Sequence, residues 1–139
     1  MRLVLDTNVA LSAALGDSAP RRLIELATEG AIELFSSAEL LAEFSEVLQS
    51  KHILYRFERK RQSAPEALAL YEALIETICP ASIAPTASDP DDDAVLACAL
   101  AAGVDLIVSG DRSLRNLKSF HRIPILSPAD ALAAINARA

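Results

Sequence analysis

Short apolar runs alternate along this chain with longer stretches of helical period. Leu3 to Leu5 is the first run, and it stops abruptly on Asp6, Thr7 and Asn8. That is how a buried strand reads when it opens into a polar site at its carboxyl end. Val9 to Leu15 predicts a first helix, broken at Gly16-Asp17-Ser18. Asp17 or Ser18 can cap a second, with Pro20 in its first turn, Leu23, Ile24, Leu26 and Ala27 on its apolar face, and Gly30 as its stop. Ile32 to Phe35 predicts the next strand. Ser36 and Glu39 have the spacing of a capping box, so a helix is expected from Ser36 to Gln49, with Leu40, Leu41, Phe44, Val47 and Leu48 on one arc. At roughly 100° per residue, Glu43 is the acid of that helix nearest the arc, and it alone is expected to point toward the protein body.

From Lys51 to Arg61 the chain turns basic, with Tyr55 and Phe57 interleaved. Ala64 to Ile78 has a helical period again, and Pro80 to Asp92 reads as a surface loop. Asp89-Pro90-Asp91-Asp92-Asp93 then leads into the apolar helix Ala94 to Ala102, closed by Gly103. Leu96, Ala97 and Leu100 follow Asp93 by three, four and seven residues, so that stripe predicts Asp93 facing inward. Asp91 and Asp92 read as partners of the helix dipole, with Asp92 a supporting candidate beside Asp93. Asp105 to Val108 is a further buried strand, ending in Ser109-Gly110-Asp111. Ile123 to Leu126 and Ala129 to Ile135 give a last strand and helix. Strand and helix in alternation predict an α/β fold with a mostly parallel sheet covered on both faces.

Composition narrows this picture. At 139 residues and 52% hydrophobic, the chain suits one domain with a proper core. Cys79 and Cys98 are far apart and lack neighbours at zinc spacing, which argues against a disulfide framework or structural zinc and favours a reducing cytoplasm. Neither an export leader nor a run of about 18 apolar residues is visible. A net charge of −6 excludes a surface that is basic throughout but permits local patches. Lys51, Arg56, Arg59 and Lys60 form one candidate patch for phosphate contacts, and Arg112 and Arg115, followed by Lys118 and Arg122, form another.

The chemistry rests on acids. Asp6 and Asp111 sit at strand ends, and Glu43 and Asp93 near helix starts on a plausible common edge. Carboxylates gathered without His or Cys suit a hard cation, Mg²⁺ or Mn²⁺, which also relieves their mutual repulsion. Such an ion activates water against a phosphodiester.

The chain resembles the PIN domain, particularly the ribonuclease toxins of toxin-antitoxin pairs. The matching pieces are Asp6-Thr7-Asn8, Glu43 in its helix, Asp93 opening Asp93-Ala94-Val95-Leu96-Ala97-Cys98-Ala99, and Val108-Ser109-Gly110-Asp111, in order over nearly the whole chain. The resemblance implies a three-layer α/β/α sandwich and a Mg²⁺- or Mn²⁺-dependent endonuclease for single-stranded RNA. It also implies a cognate antitoxin and a homodimer. Asp6, Glu43, Asp93 and Asp111 become the metal-binding catalytic acids, with Asn8 and Ser109 in support. Two alternatives stand beside it: a Mg²⁺-dependent phosphotransfer or receiver-like signalling module, and a non-catalytic interaction protein that keeps the fold.

Overall fold

The computed structural model describes residues 1–138. In chain order the elements are β1 (Arg2–Leu5), α1 (Thr7–Ala14), α2 (Ser18–Thr28), β2 (Glu33–Ser36), α3 (Ala38–Leu48), α4 (Lys51–Arg59), α5 (Ala64–Leu74), β3 (Ile75–Thr77), α6 (Pro90–Ala102), β4 (Leu106–Val108), α7 (Arg112–Arg115), β5 (Ser119–Phe120), β6 (Ile123–Leu126) and α8 (Pro128–Arg138). The strands form one sheet in the order β3-β2-β1-β4-β6-β5, parallel except for β5.

Side chains of a strand alternate between faces, and this alternation divides the core in two. Leu3, Leu5, Leu34, Leu106 and Val108 face a layer built from α1, α2, α3, α5 and α8. Val4, Phe35, Ile107 and Ile125 face the opposite layer, where Val95, Leu96 and Ala99 of α6 and Leu114 of α7 pack. The result is the α/β/α sandwich, with helices over both faces of a parallel sheet. Its central strands β1 and β4 lie side by side, Leu5 opposite Val108, so the residues that follow them emerge together.

Several boundaries differ from those expected. Ser36 is the last residue of β2, and Ser37, in extended conformation, caps α3 by accepting the Leu40 N–H at 3.3 Å. The expected helix to Ile78 ends at Leu74, because Ile75 turns extended and pairs with Leu34. The helical spacing of Ile75 and Ile78 is overridden by hydrogen bonds at the sheet edge, such as Ile78 N–H to the Ser36 carbonyl at 3.0 Å. The basic stretch at Lys51 is itself a helix, α4. Helix α6 starts at Pro90 rather than past Asp93, since Asp89 caps it by accepting the Asp91 N–H at 3.0 Å and proline is tolerated in a first turn.

Candidate active site

The carboxyl ends of β1 and β4 build the centre of the site. The Asp6 N–H donates to the Val108 carbonyl at 2.8 Å, which locks Asp6 to the neighbouring strand. Asp6 stands at the N-cap position of α1, yet its side chain makes no capping bond. Its Oδ2 instead accepts the Ser109 hydroxyl at 2.7 Å, and Ser109 Oγ in turn accepts the Asp111 N–H at 3.0 Å. Ser109 is fully buried and Asp6 only 6% exposed. A carboxylate held this way has one fixed orientation.

Burial raises Asp6 above the usual carboxylate range, against the pull of the Ser109 hydrogen bond and with added repulsion from Asp111 and Asp89. Asp92 is 7% exposed, and burial together with repulsion from Asp6, Asp111, Asp89 and Glu43 pushes it up to about 6. Glu43 on α3 is raised too, by burial and then by Asp6, while the Thr7 hydroxyl pulls it back. These mutual repulsions place Asp6, Glu43, Asp92, Asp111 and Asp89 within one electrostatic field.

Asp93 does not take the inward facing expected of it. Its carboxylate accepts the backbone N–H of Ala87 at 2.8 Å and of Thr86 at 3.3 Å, holding the loop before α6. Asp92 takes the inward place because the residues three, four and seven after it, Val95, Leu96 and Ala99, are all essentially fully buried. On the stripe of Asp93, Leu100 is only half-buried. The stripe of larger side chains is therefore not the most deeply buried one.

Asn8 is exposed, and the supporting hydroxyls come from Ser109 and Thr7. Thr7, between Asp6 and Asn8, is not among the sequence-predicted site residues, and it is buried at 5% exposure. Asp111 combines two tasks, since its Oδ1 caps α7 by accepting the Ser113 N–H at 2.9 Å while its charge acts on Asp6 and Asp92. Of the basic candidates, Lys51, Arg56, Arg59 and Arg112 are exposed. Arg59 lies over the Tyr55 ring, Lys60 donates to the Leu15 carbonyl, and Arg115 is half-buried.

No three acid, His or Cys side chains are close enough, as they stand among the described residues, to form a complete ligand set. The donor chemistry nevertheless fits a hard divalent cation: the groups at this edge are all carboxylate or hydroxyl oxygens, and the pKa values of Asp6 and Asp92 are raised by burial first and then by a repulsion that a cation relieves. A cavity of about 980 Å³ between α1–α2 and α4–α5, lined by Ile24, Phe44, Leu70 and Tyr71, includes none of these acids.

Fold and site together define an α/β/α protein with an acidic centre at the carboxyl edge of its parallel sheet. The PIN domain family model matches residues 2–113, a span that contains Asp6, Glu43, Asp92, Asp93 and Asp111. The chain belongs to the PIN domain family, whose members are generally nuclease-like and typically use divalent metal ions. No curated protein matches it significantly. Among the described residues, no helix is long and apolar enough to cross a membrane.

Proposed function

We propose that this chain is a Mg²⁺- or Mn²⁺-dependent endoribonuclease acting on single-stranded RNA, with Asp6, Asp92, Asp111 and Glu43 as its metal-binding acids. The observation that carries this reading is Asp92, a buried carboxylate pushed up to about 6 beside the Ser109-anchored Asp6. So much like charge at one sheet edge is costly unless a cation or a proton shares it.

When bound, the cation would lower the pKa of a water beside it and neutralise charge developing on the phosphodiester. The chain's own residues set the geometry. Ser109 fixes the rotamer of Asp6, Thr7 restrains Glu43, and Asp93 holds the loop that leads into Asp89 and Asp92. Asp93 is thus a positioning residue in this reading, and Asp92 takes the metal-binding role.

The toxin role belongs to the same proposal: a cytoplasmic ribonuclease, homodimeric, held silent by a cognate antitoxin that covers the acid site. A small protein encoded immediately upstream that binds the chain and stops cleavage would support it. The phosphotransfer alternative needs a functional lysine after a late strand, and Ser127 and Pro128 follow β6 instead. Incubating labelled single-stranded RNA with purified protein and Mn²⁺, Mg²⁺ or EDTA tests the activity. Cutting only with metal, lost in Asp6→Asn, is expected; cutting that survives in EDTA and in Asp6→Asn contradicts it.

A further inference from the structure

Between Asp111 and Asp130 the chain carries Arg112, Arg115, Lys118 and Arg122 and not a single acid, although its net charge is −6. None of these four is in an ion pair among the described residues, where the ion pairs are those of Arg22 with Glu25 and Glu29.

The fold lays this segment along the outer edge of the sheet, starting at the acid centre. Helix α7 is capped by Asp111, and the Arg115 N–H closes its turn on the Asp111 carbonyl at 3.0 Å. Lys118 comes next, still at the carboxyl edge: its carbonyl accepts the Ile125 N–H at 3.0 Å, and the carbonyl of the next residue, Leu126, accepts the Ser109 N–H at 2.9 Å. Strand β5 then runs antiparallel to β6 and away from that edge. His121 and Arg122 form the tight turn at the far end.

The tight turn sets positive φ at His121 (49°) and Arg122 (66°), and Lys118 is left-handed too at 66°, so basic side chains stand at positions where Gly or Asn is the easier choice. In addition, Arg115 Nε is buried without a hydrogen-bond partner, alone in this among the described residues. A buried donor without an acceptor calls for explanation, and a phosphate oxygen is the acceptor an arginine fork suits best. Two of the cations around α4 are engaged within the protein, Arg59 over Tyr55 and Lys60 on the Leu15 carbonyl.

Building on the ribonuclease reading, we infer that the RNA strand held at the acid centre is gripped on its flank by the α7–β5 edge. Arg115 is the anchor nearest the reacting phosphate, and Lys118 and Arg122 follow the backbone away from it. Such contacts hold and orient the strand without reading its sequence. The basic face of α4 takes little part.

The test is binding of a fluorescein-labelled single-stranded RNA to the full chain in EDTA, followed by anisotropy across a salt series. Lys118→Glu with Arg122→Glu is expected to weaken binding tenfold or more, and the loss of two contacts to flatten the log K against log salt slope by about 1.4. Arg115→Lys, which keeps the charge and removes Nε, is expected to weaken it severalfold. Arg56→Glu with Arg59→Glu is expected to change affinity less than threefold. Should the charge reversal disturb folding, Lys118→Gln with Arg122→Gln reports the same slope. Wild-type-like affinity and slope in the edge variants, or a larger loss from the α4 pair, overturns the inference. A wild type that cuts RNA with Mn²⁺ while the edge variants bind normally refutes the edge alone; a wild type that neither cuts nor binds refutes the ribonuclease reading as well.

Discussion

Asp92 and Asp93 are neighbours in sequence and occupy opposite surroundings. Asp92 is buried above Val95, Leu96 and Ala99, within the field of four other acids, and its pKa is pushed up to about 6. Asp93, rotated by about 100° on the same helix, spends its carboxylate on the Thr86 and Ala87 amides. The first pays an electrostatic penalty that only a cation or proton relieves; the second is satisfied by the protein itself. On the proposed reading, Asp92 is a metal-binding acid and Asp93 a residue that holds the loop before α6.

The largest effect expected from breaking this arrangement comes from its centre. Asp6→Asn removes a charge that Ser109 has oriented, and RNA cleavage with Mn²⁺ is expected to fall by about a hundredfold or more, beyond what loss of a supporting group causes. Ser109→Ala, which leaves every carboxylate in place, is expected to lower activity by about 10- to 100-fold and to weaken metal binding with it. Asp93→Ala frees the loop amides and is expected to cost about 1 kcal/mol of stability, read from denaturant unfolding in EDTA, while a metal site remains.

The smallest effect is a pH dependence. Asp92 has a raised folded-state value, so its contribution to stability is present at low pH and lost as pH rises through about 6. In EDTA, the melting temperature of the wild type is therefore expected to decline between about pH 4 and 6 relative to Asp92→Asn. Binding of Mn²⁺ runs the other way and is expected to weaken as pH falls through about 6, because the ion needs the deprotonated carboxylate.

Much of this was legible in the residues. The strand ending in Asp6-Thr7-Asn8, the strand ending in Ser109-Gly110-Asp111 and the single inward acid Glu43 on α3 follow from apolar spacing and from where it stops. The three-layer sandwich follows from the alternation of those runs. Strand β3 was not legible, because Ile75 and Ile78 continue the period of α5 and only pairing with Leu34 and Ser36 decides the matter. Nor was the facing of α6. This helix is apolar almost all round, so spacing cannot choose between adjacent stripes, and the depth of burial that favours Asp92 arises only once the sheet and α7 are in place. The burial of Thr7 and the exposure of Asn8 were not legible for a similar reason, since adjacent residues at the start of a helix point about 100° apart.

The most direct test of the central claim is titration of Mn²⁺ into Asp92→Asn and Asp93→Asn, each paired with its rate of RNA cleavage. The account predicts that Asp92→Asn loses metal affinity and activity together, by about a hundredfold or more, while Asp93→Asn stays within about tenfold of wild type on both. The reverse order, or equal losses in the two variants, would contradict it.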